Sequence, residues 1–318
     1  MFINMSVVIP FISQLPMPEQ QEWLTQLNTK LAPHCVVLPS QMTAEQIKAA
    51  EVAIIANPEP SDLTLFSNLV WVQSLWAGVD RLFKEIPTPW FKVARLEDPE
   101  LAQTMAEAAL TWSLYLHRQI PQYMAQQQQC EWRQHKVKPA AQCNISILGL
   151  GKLGALSAQR LADNGFNVSG WSNSQKTLAN ITCYSGERGL TAMLEHCHIL
   201  IILLPLTSDT EKLVNQTFLA KLPQGASIIN FARGRIIDIE ALVNGLDNNH
   251  LSHAVLDVFE HEPLPATSSL WQHQKISVLP HISAPTNLAS ASHIICQNIL
   301  GYLNNKTLPN TVDSKRSY

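Results

Sequence analysis

A glycine-rich turn near the middle of the chain constrains the fold more than any other stretch. Residues 144–154 read Asn-Ile-Ser-Ile-Leu-Gly-Leu-Gly-Lys-Leu-Gly, a short apolar run that leads into glycines at G-x-G-x-x-G spacing, and apolar residues at helical spacing follow. In such a strand–turn–helix unit Gly149 allows the tight turn, Gly151 lets a pyrophosphate approach the backbone, and Gly154 lets the helix lie against the strand. The stretch therefore predicts a dinucleotide-binding site. A glycine-rich turn of another α/β protein is the alternative.

The composition of the 318-residue chain is that of a folded protein with room for two domains. Hydrophobic residues make up 46% and charged residues 15%, which excludes a disordered chain. The net charge of −3 gives no basic field to hold a nucleic-acid backbone. The sequence shows no secretory leader pattern, no apolar run long enough to span a bilayer, and six cysteines without a C-x-x-C pair. We therefore expect a cytoplasmic protein with reduced thiols, and no nucleic-acid or membrane partner.

Short apolar runs alternate with helical segments, and this alternation predicts a parallel α/β sheet. Strands are predicted at 6–11, 52–56, 70–74, 145–148, 167–171, 199–204, 226–230, 254–258 and 276–279. Helices are predicted at 19–31, from 98 to about 121, at 207–219 and at 238–246. The helix opened by Asp98-Pro99-Glu100 has more apolar residues than one sheet face needs. It either packs against a second subunit or lies in the core.

Three ionisable residues, Arg233, Glu262 and His281, each follow a predicted strand. The carboxyl ends of parallel strands lie along one edge of a sheet, which is also where a dinucleotide binds. We therefore expect the three side chains to lie beside a nicotinamide. Taken singly, each has an ordinary alternative: a surface ion pair for Arg233, a solvated loop acid for Glu262 and a satisfied core histidine for His281.

These residue types suit the reduction of a keto acid by hydride from a nicotinamide. His281 can give a proton to the carbonyl oxygen, because imidazole titrates near neutral pH. Glu262 can orient the imidazole and, as an opposite charge, raise its pKa. Arg233 can hold a substrate carboxylate and polarise the reacting carbonyl.

The residues after the strand at 167–171 bear on the choice of cofactor. An acid at this position binds the ribose 2′-hydroxyl of NAD and would repel the 2′-phosphate of NADP. This chain reads Ser172-Asn173-Ser174-Gln175-Lys176, without a carboxylate. Small hydroxyls, an amide and a lysine favour NADPH weakly, and NADH remains the alternative.

Two further segments allow both a functional and an ordinary interpretation. Trp76-Ala77-Gly78 follows a predicted strand, where backbone N–H groups can cradle a carboxylate, although a plain strand-to-helix turn has the same pattern. Glu195-His196-Cys197-His198 could suggest a metal site, but neighbouring positions on a short segment cannot all converge on one ion. We therefore predict no metal, and an ordinary entry to a strand.

Four motifs, in order, resemble the D-isomer-specific 2-hydroxyacid dehydrogenases. They are Gly149-Leu-Gly-Lys-Leu-Gly154, Asn230-Phe-Ala-Arg-Gly234, Asp257-Val-Phe-Glu-His-Glu-Pro263 and Pro280-His281. The most similar subgroup is the glyoxylate/hydroxypyruvate reductases, through Arg95-Leu-Glu-Asp98, Trp171-Ser172, Pro263-Leu-Pro265 and Leu270-Trp271-Gln-His273. The resemblance covers most of the chain from Val70 on.

The resemblance implies two Rossmann-like domains, each a doubly wound parallel sheet. A flavodoxin-like substrate domain would comprise 1–98 and 284–318, and the NAD(P)-binding domain, 99–283, would be inserted into it. The chain would return through a C-terminal helix near 287–303. The family is typically homodimeric, in agreement with the apolar helix that starts near Pro99.

The resemblance also implies the residues of the site. Arg233, Glu262 and His281 would be catalytic, and Trp76, Ala77 and Gly78, with Arg233 and His281, would contact the substrate. The implied cofactor contacts are Gly149, Gly151, Lys152, Leu153, Gly154, Ser172, Asn173, Ser174, Lys176, Leu204, Pro205, Thr210, Ala232 and Asp257. Asn173 stands where NADPH-preferring relatives usually have arginine, and Thr286-Asn287 where the reductases tend to carry one.

The function predicted from these observations is the reduction of small 2-keto acids, such as glyoxylate or hydroxypyruvate, by NAD(P)H. A non-catalytic NAD(H)-sensing interaction protein is one alternative, because some relatives of this fold are co-repressors. Oxidation of phosphite or formate on the same fold is another.

Overall fold

The computed structural model describes residues 6–313, and the strand pairs of its two sheets are all parallel. The strands of the described part are β1 Val8–Ser13, β2 Cys35–Val37, β3 Val52–Ala56, β4 Trp71–Ser74, β5 Lys92–Ala94, β6 Asn144–Leu148, β7 Asn167–Trp171, β8 Thr182–Tyr184, β9 Ile199–Ile202, β10 Ala226–Asn230, β11 Leu251–Leu256 and β12 Ile276–Val278. Its α-helices are α1 Met17–Leu31, α2 Ala44–Ala49, α3 Pro60–Thr64, α4 Asp80–Glu85, α5 Pro99–His117, α6 Ile120–Gln128, α7 Lys152–Asp163, α8 Gly186–Leu194, α9 Gln216–Leu219, α10 Ile239–Asp247 and α11 Leu288–Asn305.

The chain divides into two compact units. One comprises the described residues up to Glu100 together with those from Thr286 on, and the other is Leu101–Pro285. The chain thus leaves the first unit, completes the second and returns. Both crossings lie two residues beyond the predicted domain boundaries, which follow residues 98 and 283.

The first unit is built on a five-stranded sheet in the order β2-β1-β3-β4-β5, the flavodoxin-like order. Side chains of a strand alternate between the two faces of a sheet. In β1, Ile9 and Phe11 accordingly pack with α1 and α11, whereas Ile12 packs with α3 and α4. Helices therefore cover both faces of this sheet.

The second unit is built on a seven-stranded sheet in the order β12-β11-β10-β9-β6-β7-β8. Ile145 and Ile147 of β6 pack in one core layer with Met105 of α5 and Leu161 of α7. Leu148 packs in the other layer, with α8, α9 and α10. Two doubly wound parallel sheets confirm the predicted fold class.

Sequence patterns located the long elements better than the short ones. The predicted strands at 52–56, 167–171 and 226–230 coincide with β3, β7 and β10. The helix predicted from Asp238 is confirmed as α10. It starts there because the Asp238 side chain accepts the Ala241 N–H and caps the first turn. The three-residue strands β2, β5 and β8 were missed, since so short a run shows no alternation that separates it from a loop.

The predicted helix at 207–219 is wrong over most of its length. Thr210 Oγ1 instead accepts the Thr207 N–H at 2.8 Å and closes a turn. Val214 then forms an isolated parallel bridge with Ile237, which requires extended backbone. Only the four residues of α9 are helical. The tertiary pairing of Val214 overrides the local helical preference here.

Helix α5 begins where the sequence predicts, because the Asp98 carboxylate accepts the Glu100 N–H at 2.8 Å. It ends at His117, short of the predicted end, since Gln119 adopts a left-handed φ of 56° before α6 starts. Met105 and Ala109 on α5 are buried in the core of the second unit. Core packing therefore accounts for part of its apolar face.

Among the described helices, none combines the length and apolar character that crossing a bilayer requires. All six cysteines lie within residues 6–313 and are free thiols.

Candidate active site

One edge of the seven-stranded sheet carries the predicted site residues of the second unit. Its strands are parallel, so their carboxyl ends meet at the same edge. In sheet order, His281 follows β12, Glu262 follows β11, Arg233 follows β10, the glycine turn follows β6 and Ser172 follows β7. At about 4.8 Å per strand, the five steps from β12 to β7 span roughly 24 Å. The ionisable groups therefore lie towards one end of the edge, with the glycine turn between them and Ser172.

His281 and Glu262 form a close hydrogen-bonded pair. His281 Nδ1 lies 2.7 Å from Glu262 Oε2. The other carboxylate oxygen, Oε1, accepts the Phe259 N–H at 2.8 Å. A carboxylate at Nδ1 keeps a proton on that nitrogen and fixes the ring orientation, so Nε2 is the nitrogen left for chemistry.

The pKa values of the two partners move in opposite directions. The hydrogen bond and the charge of Glu262 raise the pKa of His281, helped by Asp257 and opposed by partial burial and by the charge of Arg233. Burial alone would raise the pKa of Glu262. The hydrogen bonds from His281 and Phe259, together with the charges of His281 and Arg233, bring the pKa of Glu262 below its ordinary value instead. The pair therefore favours an imidazolium beside a carboxylate.

Asp257 holds the turn that carries His281. Its carboxylate is 2% exposed and accepts the N–H of Ile282 at 2.7 Å and the N–H of Ser283 at 3.0 Å, while its carbonyl accepts the His281 N–H at 2.9 Å. His281 has a φ of 53°, and left-handed backbone costs a non-glycine residue on the order of 1 kcal/mol. These three bonds offset that strain. Asp257 was predicted to contact the cofactor, but both of its carboxylate oxygens are engaged by the His281 turn.

Asn230 holds the turn that carries Arg233. The Asn230 side chain, 1% exposed, accepts the Ala232 N–H at 3.1 Å and donates to the Arg233 carbonyl at 3.0 Å. The Arg233 guanidinium donates through Nη1 to the Ala232 carbonyl at 2.7 Å. No role was predicted for Asn230, although a polar residue closing a buried apolar strand is a signal that the sequence contains.

Gly234 brings the Arg233 turn against the segment that leads to Glu262. A Cβ at position 234 would lie 2.1 Å from the Phe259 carbonyl carbon and 2.4 Å from the Glu260 nitrogen. The two turns are thus in direct backbone contact. Sequence reasoning gave Gly234 no role either, because the contact exists only once β10 and β11 are paired.

The glycine turn after β6 fits the pyrophosphate of a dinucleotide. A Cβ at Gly154 would lie 1.8 Å from the Gly149 carbonyl oxygen, so only glycine lets α7 lie this close to the turn. Gly151 is the N-cap of α7 and makes no side-chain cap. Apart from Gly151 and its two chain neighbours, no described residue lies within 4 Å of the position that its Cβ would take. The N-terminus of α7, whose first N–H groups have no intrahelical partner, therefore has room beside Gly151 for a phosphate.

The turn after β7 is closed by its own hydrogen bonds. Ser172 N–H donates to the Tyr184 carbonyl at 3.2 Å, and Ser172 Oγ donates to the Ser174 carbonyl at 2.7 Å. Asn173, Ser174 and Lys176 are exposed. These three side chains remain accessible to a ligand at this end of the edge.

The remaining predicted cofactor contacts lie along the same edge. They are Lys152 and Leu153 in the first turn of α7, Leu204, Pro205 and Thr210 after β9, and Ala232 after β10. Leu204 and Ala232 are buried. The Thr210 hydroxyl is engaged within its own turn, where it donates to the Pro205 carbonyl at 2.7 Å.

The predicted substrate segment lies in the first unit, after β4. Ser74 Oγ accepts the Trp76 N–H at 3.0 Å, and the Trp76 carbonyl accepts the Leu96 N–H at 2.9 Å. Within residues 6–313, the N–H groups of Ala77 and Gly78 donate to no protein acceptor. Both are available to a carboxylate.

Residues 195–198, which could suggest a metal site in the sequence, lead into β9. Cys197 is fully buried in the core, and His198 Nδ1 accepts the Asn144 N–H at 2.9 Å. In the described part of the chain, no group of three or more metal-ligating side chains is brought together.

Comparisons with known proteins identify the family. Residues 110–283 match the family described as D-isomer specific 2-hydroxyacid dehydrogenase, NAD binding domain. Glyoxylate/hydroxypyruvate reductase A of Serratia proteamaculans is 35% identical over 312 residues, which cover 95% of this chain and 98% of that protein.

Two crystal structures are similar over nearly the whole chain. A D-isomer specific 2-hydroxyacid dehydrogenase from Xanthobacter autotrophicus, in complex with NADPH and MES, is 34% identical with a TM-score of 0.91, covering 98% of this chain and 100% of that one. An NADPH-dependent glyoxylate/hydroxypyruvate reductase from Sinorhizobium meliloti, in complex with NADP and sulfate, is 27% identical with a TM-score of 0.90 and the same coverage. The chain therefore belongs to the D-isomer specific 2-hydroxyacid dehydrogenase family, and it is an NAD(P)-dependent dehydrogenase.

Proposed function

We propose that this protein reduces small 2-keto acids, such as glyoxylate and hydroxypyruvate, to 2-hydroxy acids, with NADPH as the preferred cofactor. The observation that carries the proposal is the His281–Glu262 pair, 2.7 Å apart, on the sheet edge that also holds the glycine turn. The Serratia and Sinorhizobium reductases support this choice of substrate and, for the second, of cofactor.

Each of the three ionisable residues has a role in this reaction. The bound nicotinamide supplies the hydride that adds to the keto carbon. His281 donates the proton at Nε2 to the carbonyl oxygen, and its raised pKa favours the protonated ring that this step requires. Glu262 holds Nδ1 and stabilises the imidazolium. Arg233 stays charged, binds the substrate carboxylate and draws charge onto the carbonyl oxygen.

The cofactor would lie along the edge of the second unit. The first turn of α7 would hold the pyrophosphate. The exposed side chains of Ser174 and Lys176 would bind the 2′-phosphate, with Ser172 beside them closing the turn, since the turn after β7 has no carboxylate to repel it. Asn173, which stands where an arginine is usual in NADPH-preferring relatives, leaves NADH as a second cofactor.

The first unit would supply the substrate domain, with the N–H groups of Ala77 and Gly78 receiving the substrate carboxylate.

We also propose a homodimer, because Leu114, Ile120 and Met124 on α5 and α6 are between 39% and 52% exposed. The free thiols of the six cysteines favour a reducing compartment, the cytoplasm.

Steady-state kinetics tests the proposal. We expect NADPH to be consumed with glyoxylate and hydroxypyruvate, and kcat/KM to be higher with NADPH than with NADH. A panel of 2-keto acids of increasing size then ranks the substrates. If no keto acid is reduced with either cofactor, the proposed function is wrong. If NADH is preferred, the role given to the turn after β7 is wrong.

A further inference from the structure

Trp271 makes a contact that the reaction described above does not use. Its indole is 50% exposed, and its Nε1–H donates to the Pro265 carbonyl at 3.0 Å. The same carbonyl accepts the Ser268 N–H at 2.9 Å. Pro265 lies three residues after Glu262, in the irregular segment between β11 and β12. The indole therefore restrains the loop that carries Glu262, the hydrogen-bond partner of His281.

The short 3₁₀ turn that carries Trp271, Ser269–Gln272, is itself fixed to the body of the unit. Leu270 beside it is 9% exposed. His273, just after the turn, places Nε2 3.2 Å from Asp247 Oδ1 at the end of α10. Trp271 thus joins a fixed turn to the loop.

Besides the indole, the Ser268 N–H donates to the Pro265 carbonyl, and the prolines of the loop limit its further backbone hydrogen bonds. Pro263 and Pro265 have no N–H to donate, so the backbone after Glu262 offers fewer hydrogen bonds than an ordinary loop. On the other side of Glu262, its carboxylate is held by the Phe259 N–H at 2.8 Å. Glu262 is therefore anchored from Phe259 before it and, through Pro265, from Trp271 after it.

We propose that Trp271 is a positioning residue, which keeps the Glu262 carboxylate on Nδ1 of His281; the inference rests on the proposed function. Without the indole N–H, residues 263–265 gain freedom and the carboxylate leaves Nδ1 more often. The ring of His281 is then held less well for proton donation.

The protonation of His281 should respond to this loss in a defined direction. Glu262, Arg233 and Asp257 are the charged groups that act on its ring, and of these only Glu262 is connected to Trp271. Weakening its hydrogen bond lowers the pKa of His281 towards the ordinary value. Because the protonated ring is the donor, reduction should then decline at a lower pH than in the wild type.

Trp271→Phe tests the proposal, since it removes the N–H and keeps an aromatic ring. We expect kcat/KM for glyoxylate to fall roughly two- to tenfold, the effect of one lost neutral hydrogen bond. The loss should be larger above the wild-type inflection of the pH profile than below it. Trp90→Phe is the matched control, because Trp90 is similarly exposed, at 47%, and packs edge-on against Phe91 in the first unit. It should leave the profile unchanged.

A titration of the His281 ring by NMR, assigned with a His281→Gln variant, gives a readout that needs no turnover. We expect a lower pKa of His281 in Trp271→Phe than in the wild type or in Trp90→Phe. An unchanged His281 titration would overturn the proposal, whether activity is kept or is lost equally at every pH. Failure of the unmodified protein to reduce keto acids would instead refute the proposed function alone.

Discussion

Replacing Gly234 by alanine tests whether contact between two turns sets the geometry of the site. The new Cβ would lie 2.1 Å from the Phe259 carbonyl carbon, 2.5 Å from its Cα and 2.4 Å from the Glu260 nitrogen. All three are backbone atoms, so no side-chain rotation can make room. Ordinary contact begins at 3.4 Å, so the turns must separate by the difference between 3.4 and 2.1 Å, about 1.3 Å.

This displacement affects two residues of the proposed active site. Arg233 is the residue before Gly234, and Glu262 is two residues beyond Glu260. A misplacement of about 1 Å costs up to roughly 100-fold in rate, and overpacking costs about 1–3 kcal/mol of stability. We expect kcat/KM to fall roughly 10- to 100-fold and the free energy of unfolding to fall by about 1–3 kcal/mol.

Keto acid reduction with NADPH and urea denaturation measure the two effects. Gly301→Ala is the matched control, because, apart from its chain neighbours and the nearby backbone of α11, no described residue lies within 4 Å of the Cβ that it would add. It should leave kcat/KM unchanged and stabilise the protein by about 0.5–1 kcal/mol, since alanine favours the helix interior. Wild-type kcat/KM in Gly234→Ala would show that contact between these turns does not set the geometry of the site.

Four further substitutions separate the roles assigned to other residues. His281→Ala should lower kcat by roughly two to four decades and leave the Kd for NADPH, measured by fluorescence, nearly unchanged. Glu262→Gln should lower the pKa of His281, so that kcat/KM for reduction, which is lost as pH rises through that pKa, declines at a lower pH than in the wild type. Asp257→Asn should lower the free energy of unfolding by about 1–3 kcal/mol in urea denaturation, because one backbone N–H loses its acceptor. Gly154→Ala should abolish NADPH binding in the same fluorescence titration, because its Cβ would meet the backbone at 1.8 Å.

The sequence predicted those parts of the fold that local pattern determines. β9 was located because four successive residues, all buried, form a continuous apolar run in the sequence. β8 was missed because only three residues pair with β7, and none of them is fully buried. The helix predicted at 207–219 is wrong for a non-local reason. Val214 pairs with Ile237, and this pairing cannot be predicted from either segment alone.

The same distinction explains how much of the site was predictable. Arg233, Glu262 and His281 could be placed together because each follows a strand, and parallel strands bring their ends to one edge. Gly234 and Trp271 could not be given roles in advance. Their partners, the Phe259-Glu260 backbone and the Pro265 carbonyl, are chemically ordinary and are reached only in the folded chain.

Asp257 shows why residue type alone does not settle a role at such an edge. Asp257 is predicted to contact the cofactor, and its buried carboxylate also serves two adjacent N–H groups, those of Ile282 and Ser283. An asparagine offers one side-chain acceptor where two are needed, so the position requires an acid even before any ligand is considered. The same negative charge helps to raise the pKa of His281. The Asp257 carboxylate therefore holds the His281 turn and adds to the effect of Glu262 on the His281 pKa, so a neutral substitute for Asp257 should disturb both.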